Sequence, residues 1–312
     1  MGVVFNYLLL GLLHRNDLEN RSPFRHLIRK KSDMKLLFAA CALVCFNYVA
    51  AQTVNPILVE VQTGRESRVF PKSPVVQRAI ILSPSIPSDT ALLFYRGWSG
   101  IANIKSENDW QRNLNFLKNN TGLFAEAGIS LVVMDCPSDE NSVGAGNMPL
   151  GCNDDYRSSK KHSDDVRKII ATLKEKHSIT KFYVMGHSYG AISSKWLAKN
   201  LGNELNGSIH SASQTLATRN RAFAYSMESF DMSSIKAPVL NIHHADDQCT
   251  YTPYSTVLAY SSKNLVTVKG GIPNGDVCGG GHYHSFEGRE EVSSRAIIKW
   301  IKTGQVEELI GN

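Results

Sequence analysis

Apolar positions along this chain fall into two alternating patterns. Short apolar runs end at small or polar residues, and between them lie longer stretches with apolar residues at helical spacing. The runs at 91–97 (ALLFYRG), 129–134 (ISLVVM), 181–185 (KFYVM), 208–210, 239–243 and 265–268 predict buried strands. A helix is predicted over 110–127, where Leu114, Leu117, Phe124 and Ala127 share a face and Gly128 supplies the stop. A second is predicted from Ser163 as N-cap, with Asp164 and Asp165 in its first turn, to about Lys176. Two more are predicted over 191–200 and 292–302. Residues 56–82 read as an extended lead-in and 136–160 as a long loop. Strands alternating with helices in this way predict an α/β domain, a mostly parallel sheet with helices on both faces. One such domain spans 54–308, without repeat or linker.

The first 51 residues follow a different pattern. From Met34 the chain carries Lys35, an apolar stretch over 36–47 and small residues at Val49-Ala50-Ala51. That order predicts a secretory signal cleaved before Gln52. The apolar stretch is too short to cross a bilayer of roughly 30 Å as a helix. The polar, charged segment just upstream is an unusual preface to a signal, so Met34 reads as the start and 1–33 as an extension. The alternative is a lipid anchor on Cys41 or Cys45 at the cell surface. The expected destination is secreted or periplasmic, with no stable membrane span after cleavage.

Composition sharpens this picture. Hydrophobic residues make up 42% and charged residues 20%, and a mean hydropathy of -0.20 excludes a polytopic membrane protein. Of 34 Lys/Arg and 28 Asp/Glu, seven and three fall within 1–51, leaving 27 and 25. The excess positive charge thus belongs mostly to the leader. No basic run with interleaved aromatics remains, so no nucleic-acid partner is expected. Of the six cysteines, Cys136, Cys152, Cys249 and Cys278 follow the leader. An even number in an exported chain predicts two disulfides.

The candidate chemistry starts where the 181–185 strand runs into Gly186-His187-Ser188-Tyr189-Gly190, just ahead of a helix. A sharp strand-to-helix turn lifts the serine hydroxyl clear of the sheet and needs small residues two positions to either side. The helix N-terminus then favours developing negative charge. A serine nucleophile needs a base, and the base needs an orienting carboxylate, in the chain order Ser, acid, His. The strand 239–243 is followed by Asp246 and Asp247, and both qualify as the acid. After the last strand, His282 and His284 compete for the base, and the position of His284 just ahead of the closing helix favours it. A Cys249–Cys278 bridge ties the acid loop to the histidine loop. A Cys136–Cys152 bridge closes the long loop after 129–134. One oxyanion donor is the N–H of Tyr189. The other comes from Arg96-Gly97-Trp98-Ser99-Gly100, with Trp98 favoured.

Together these residues resemble the α/β-hydrolase superfamily, over about 90–302. The resemblance implies an eight-stranded, mostly parallel sheet and a triad of Ser188, Asp247 and His284. The superfamily spacing His-small-x-x-Asp selects Asp247 over Asp246. His244 departs from the usual glycine within that spacing, and Ser285 from a frequent His-Gly-Phe. The general shape is similar to dienelactone-hydrolase-like or esterase-like members. The short stretch between the strands at 208–210 and 239–243 leaves little room for a lid. The expected function is a secreted serine hydrolase acting on a small or polymeric carboxylic ester. A peptidase or an acyltransferase with the same triad is the alternative, and a non-catalytic binding module or a metal-binding protein is a more distant one. No cofactor and no metal are expected.

Overall fold

The computed structural model describes residues 54–67, 70–145, 148–218, 222–261 and 263–311. The extension and signal expected over 1–51, the cleavage site before Gln52, and Cys41 and Cys45 lie outside the described residues. Among the described residues nine strands form one sheet: β1 (Asn55–Glu66), β2 (Pro74–Ser83), β3 (Thr90–Tyr95), β4 (Ile129–Met134), β5 (Lys181–His187), β6 (Gly207–Ser211), β7 (Val239–His244), β8 (Leu265–Val268) and β9 (Leu309–Ile310). Their spatial order is β1-β2-β4-β3-β5-β6-β7-β8-β9. The β1–β2 and β2–β4 pairs are antiparallel and all other pairs are parallel. The helices are α1 (Thr121–Glu126), α2 (Asp154–Ser158), α3 (Lys160–His177), α4 (Ala191–Leu201), α5 (Tyr254–Ser261) and α6 (Glu290–Thr303).

The central strands are apolar on both faces because both faces are covered. In β3, Leu92 and Phe94 join one core layer with α1 and α6 residues such as Phe124, Ile297 and Trp300. Ala91, Leu93 and Tyr95, pointing the other way, pack with Val166, Ile169 and Leu173 of α3 and Leu197 of α4. Asp135, just past β4, is buried and accepts the N–H groups of Ala102 and Asn103, each at 3.0 Å, and of Ile104 at 2.7 Å. One carboxylate thereby fixes the loop that leaves β3 for the site.

Several expectations need correction. The sheet has nine strands rather than eight, because Leu309–Ile310 adds a short strand beside β8, just past 308. The lead-in over 56–82 is two paired strands. The segment 110–127 is not one helix. It forms 3-10 turns at Glu107–Arg112 and Asn115–Asn120 before α1 begins. Asparagines break it: Asn113 turns its side chain onto the carbonyls of Ala102 and Asp109, and Asn115 takes φ +47. Ser159, not Ser163, caps α3 by accepting the His162 N–H at 3.3 Å. The Ser163 hydroxyl instead bonds back to the Lys160 carbonyl. The long loop contains α2, and α5 lies where no helix is predicted.

Cys136 bonds to Cys152, with a sequence separation of 16, and Cys249 bonds to Cys278. The first bridge closes the loop that leaves β4. Replacing both cysteines by alanine is expected to lower the unfolding free energy by about 3 kcal/mol, because the unfolded chain regains that loop's entropy. Urea denaturation of the double variant measures the loss.

Candidate active site

The turn between β5 and α4 is built by two glycines. A Cβ on Gly186 would fall against the Gly190 carbonyl, and a Cβ on Gly190 against the carbonyls of Tyr95 and Arg96. The strand therefore passes into the helix with no room for side chains at either position. Ser188 sits at the apex with φ +54, a left-handed conformation that serine adopts only under constraint. It opens a short 3-10 turn, Ser188–Gly190, that leads directly into α4. The Tyr189 N–H belongs to the first groups of that turn, which have no intrahelical acceptor.

The acid loop follows β7. Asp247, whose side chain is fully buried, accepts His284 Nδ1–H at 2.9 Å through Oδ2. A carboxylate can only accept here, so the proton sits on Nδ1 and Nε2 keeps its lone pair. His284 Nε2 has no hydrogen-bond partner among the described residues. The same Oδ2 accepts His243 Nε2–H at 3.1 Å and the Thr252 hydroxyl at 2.9 Å, while Oδ1 accepts the Cys249 N–H at 2.9 Å. Burial alone would raise the Asp247 pKa. The hydrogen bonds from His243 and His284 outweigh it and hold the carboxyl far below its usual range. Asp246 is exposed, and its N–H donates to His244 Nδ1 at 3.0 Å. His282 packs its ring against Tyr283 and makes no bond to Asp247.

Ser188 and His284 line one cavity of about 790 Å³. Tyr189 and Trp98 line it too, with Phe223 and Tyr251 giving an aromatic wall. Trp98 contacts Tyr189 and Phe223 edge-on at 5.3 and 5.1 Å between ring centroids. Arg96 braces the Trp98 loop, donating to Asn113 Oδ1 at 2.8 Å and to the Trp98 carbonyl at 3.3 Å. The Cys249–Cys278 bridge also lines the cavity, joining the acid loop to the histidine loop. Burial, reinforced by His284 nearby, pushes the His187 pKa well below its ordinary value, and Ser211 Oγ lies 3.1 Å from its Nδ1. A neutral imidazole therefore stands next to Ser188 in the turn.

Sequence reasoning missed two partners of Asp247. Thr252 approaches both Asp247 and His284 Nδ1, the latter at 3.2 Å. His243 is a second imidazole on the same carboxylate. Neither has a sequence signal, because both depend on how the loop after β7 folds back. Three further histidines are engaged elsewhere. His162 and His210 are buried, on the Arg157 carbonyl and on Ser194 respectively, and His244 bonds the Gly270 carbonyl.

No family model matches the sequence, and no curated protein matches it in sequence. Solved structures match it in fold. A Pyrococcus furiosus esterase superposes with TM-score 0.52 at 12% identity, over 80% of this chain and 92% of that one. A Klebsiella pneumoniae protein assigned as a dienelactone hydrolase gives 0.51 at 11% identity, over 80% and 99%. The acylaminoacyl peptidase of Pyrococcus horikoshii gives 0.51 at 12% identity, over 86% of this chain and 44% of that much longer one. The chain has the α/β-hydrolase fold.

Proposed function

We propose, with that fold as the premise, that the protein is a serine hydrolase that cleaves carboxylic esters through an acyl-enzyme on Ser188. One observation carries the reading. A buried Asp247 fixes the proton of His284 on Nδ1, and leaves Nε2 unpartnered beside the cavity that strained Ser188 lines. That is the arrangement a general base needs before it can take a hydroxyl proton.

In this reaction Ser188 Oγ attacks the ester carbonyl carbon, and its proton passes to His284 Nε2. The Tyr189 and Trp98 N–H groups receive the oxyanion. Collapse of the tetrahedral intermediate breaks the C–O bond, and His284 gives its proton to the departing alcohol. Water, activated by the same nitrogen, then attacks the acyl carbon and releases the acid and Ser188. Asp247 stays ionised throughout and stabilises the imidazolium. The aromatic wall of Trp98, Tyr189, Phe223 and Tyr251 favours an ester with an apolar or aryl group. Between β6 and β7 the described residues carry only short 3-10 turns, Tyr225–Met227 and Met232–Ser234, which is consistent with an open site.

Export is part of the proposal. Two disulfides favour an oxidising compartment. Among the described residues no helix is long and apolar enough to cross a membrane.

A fluorophosphonate probe tests the nucleophile. The expected result is stoichiometric labelling of the oxidised protein, mapped to the peptide containing Ser188 and absent from Ser188→Ala. No labelling of the folded protein sinks the proposal and moves weight to a non-catalytic binding module.

A further inference from the structure

A second cavity, of about 660 Å³, lies beside α4. Lys195, on that helix, is only 3% exposed and lines it. An ammonium carries three donors. Its nearest acceptors here are the Gln214 carbonyl and the Tyr260 hydroxyl, both at 3.5 Å, the outer limit of hydrogen bonding. Among the described residues no carboxylate pairs with it, and its other neighbour is the Tyr260 ring at 5.6 Å. A lysine buried without a counter-ion is a costly arrangement for a fold to keep.

An unpartnered hydroxyl lines the same cavity. Thr215 is 8% exposed, and its hydroxyl is buried with no hydrogen-bond partner among the described residues. An amine with only two long hydrogen bonds and a hydroxyl with none therefore meet one space. The rest of the wall is chemically distinct: Met227 and Phe230 make it apolar, and exposed Asp231 stands at its edge. Donors on the inside call for an acceptor-bearing anion. The apolar wall calls for a hydrocarbon group, and the acid at the edge disfavours a second negative charge.

We propose that this cavity binds an apolar monocarboxylate, with its carboxylate against Lys195 Nζ and Thr215 Oγ1. The site is separate from the Ser188 cavity and does not depend on the hydrolase reading. Burial pulls the Lys195 pKa down to about 7 in the free protein, so binding an anion at mildly alkaline pH draws in one proton. The other groups facing the amine do not titrate there. Burial raises Tyr260 to about 12 and keeps His210, on β6, neutral. Asp231 is lowered by its bonds to Ser233 and stays ionised. Glu228, another exposed acid, also lines the cavity.

Lysine-labelled protein, titrated by NMR with hexanoate as probe, tests the site. Lys195→Met assigns the Lys195 resonance, and sulfate and hexanol are the controls. The expected result is a midpoint near 7 without ligand, raised by more than about one pH unit at saturating hexanoate and unmoved by either control. Hexanoate affinity then falls about tenfold per pH unit above the free amine's midpoint, and Thr215→Val weakens it. A Lys195 midpoint that hexanoate does not move overturns the proposal, even if hexanoate binds elsewhere. An equal shift with sulfate overturns it too, in favour of an unselective anion site.

Discussion

Asp247→Asn is expected to lower kcat on a short aryl ester by about four orders of magnitude, with Asp246→Asn staying within about twofold of the parent. The two residues are adjacent and of the same type, so the contrast isolates position. Asp247 is the acceptor for His284 Nδ1–H. An amide there can present its NH₂ to the ring, which moves the imidazole proton to Nε2 and removes the lone pair that takes the serine proton. The same carboxylate also accepts from His243, Thr252 and Cys249. The amide therefore disturbs a whole loop, and a thermal melt must accompany the kinetics. Asp246 is exposed, and its backbone N–H donates to His244. Equal losses in the two variants would refute the assignment of Asp247.

The second large effect is on stability in acid. His162, His187 and His210 are buried and neutral, with pKa values lowered chiefly by burial, His162 to about 3. In the unfolded chain each titrates near the ordinary value of about 6.5. Above that value both states are neutral and the three histidines contribute nothing. As pH falls below it, the unfolded chain binds protons that the folded one refuses, so stability is lost. Each residue costs about 1.4 kcal/mol per pH unit for as long as its folded form stays neutral, so His162 alone costs about 3 kcal/mol over two units, and His187 and His210 add to it. Domains are commonly stable by only about 5–15 kcal/mol. Urea midpoints are therefore expected to drop steeply from about pH 6.5 to about 4.5, with net proton uptake on unfolding. A midpoint flat across that range would show that these histidines ionise in the folded state.

Much of the central fold was legible because burial on both sheet faces leaves an unmistakable pattern. The apolar runs behind β3, β4, β5, β7 and β8 are strands that no exposed segment could imitate. The elbow was legible for a different reason: Gly186 and Gly190 are demanded by backbone contacts of the turn itself. What stayed hidden depends on contacts between segments remote in sequence. The asparagines at 113 and 115 break a stretch whose apolar spacing alone reads as helical, because their side chains and backbone serve the neighbouring loop. Ser163 is as good a cap as Ser159 by residue type, and only the bend after α2 decides between them. β9 is two residues long and gains strand geometry from β8 rather than from any pattern of its own. Thr252 and His243 became partners of the acid through loop folding that no local signal encodes.

The outer side of β1 has a consequence for how this protein tolerates crowding with its own copies. Among the described residues no strand pairs with that side, and β1 is twelve residues long. A free, flat edge of that length is a template for intermolecular pairing. This edge is spoiled at both ends. Pro56 lacks an N–H to offer. Near the other end the register slips between Gln62 and Glu66, where Gly64 takes φ +75 and Arg65 turns inward to Asp139 and Asp165. Glu60 is exposed between them, and its ion pair with Arg78 at 2.6 Å keeps charge on the ladder. What remains is too short and too charged to seed a continuous cross-β stack, so the sheet that carries the site ends where it does instead of growing from one molecule into the next.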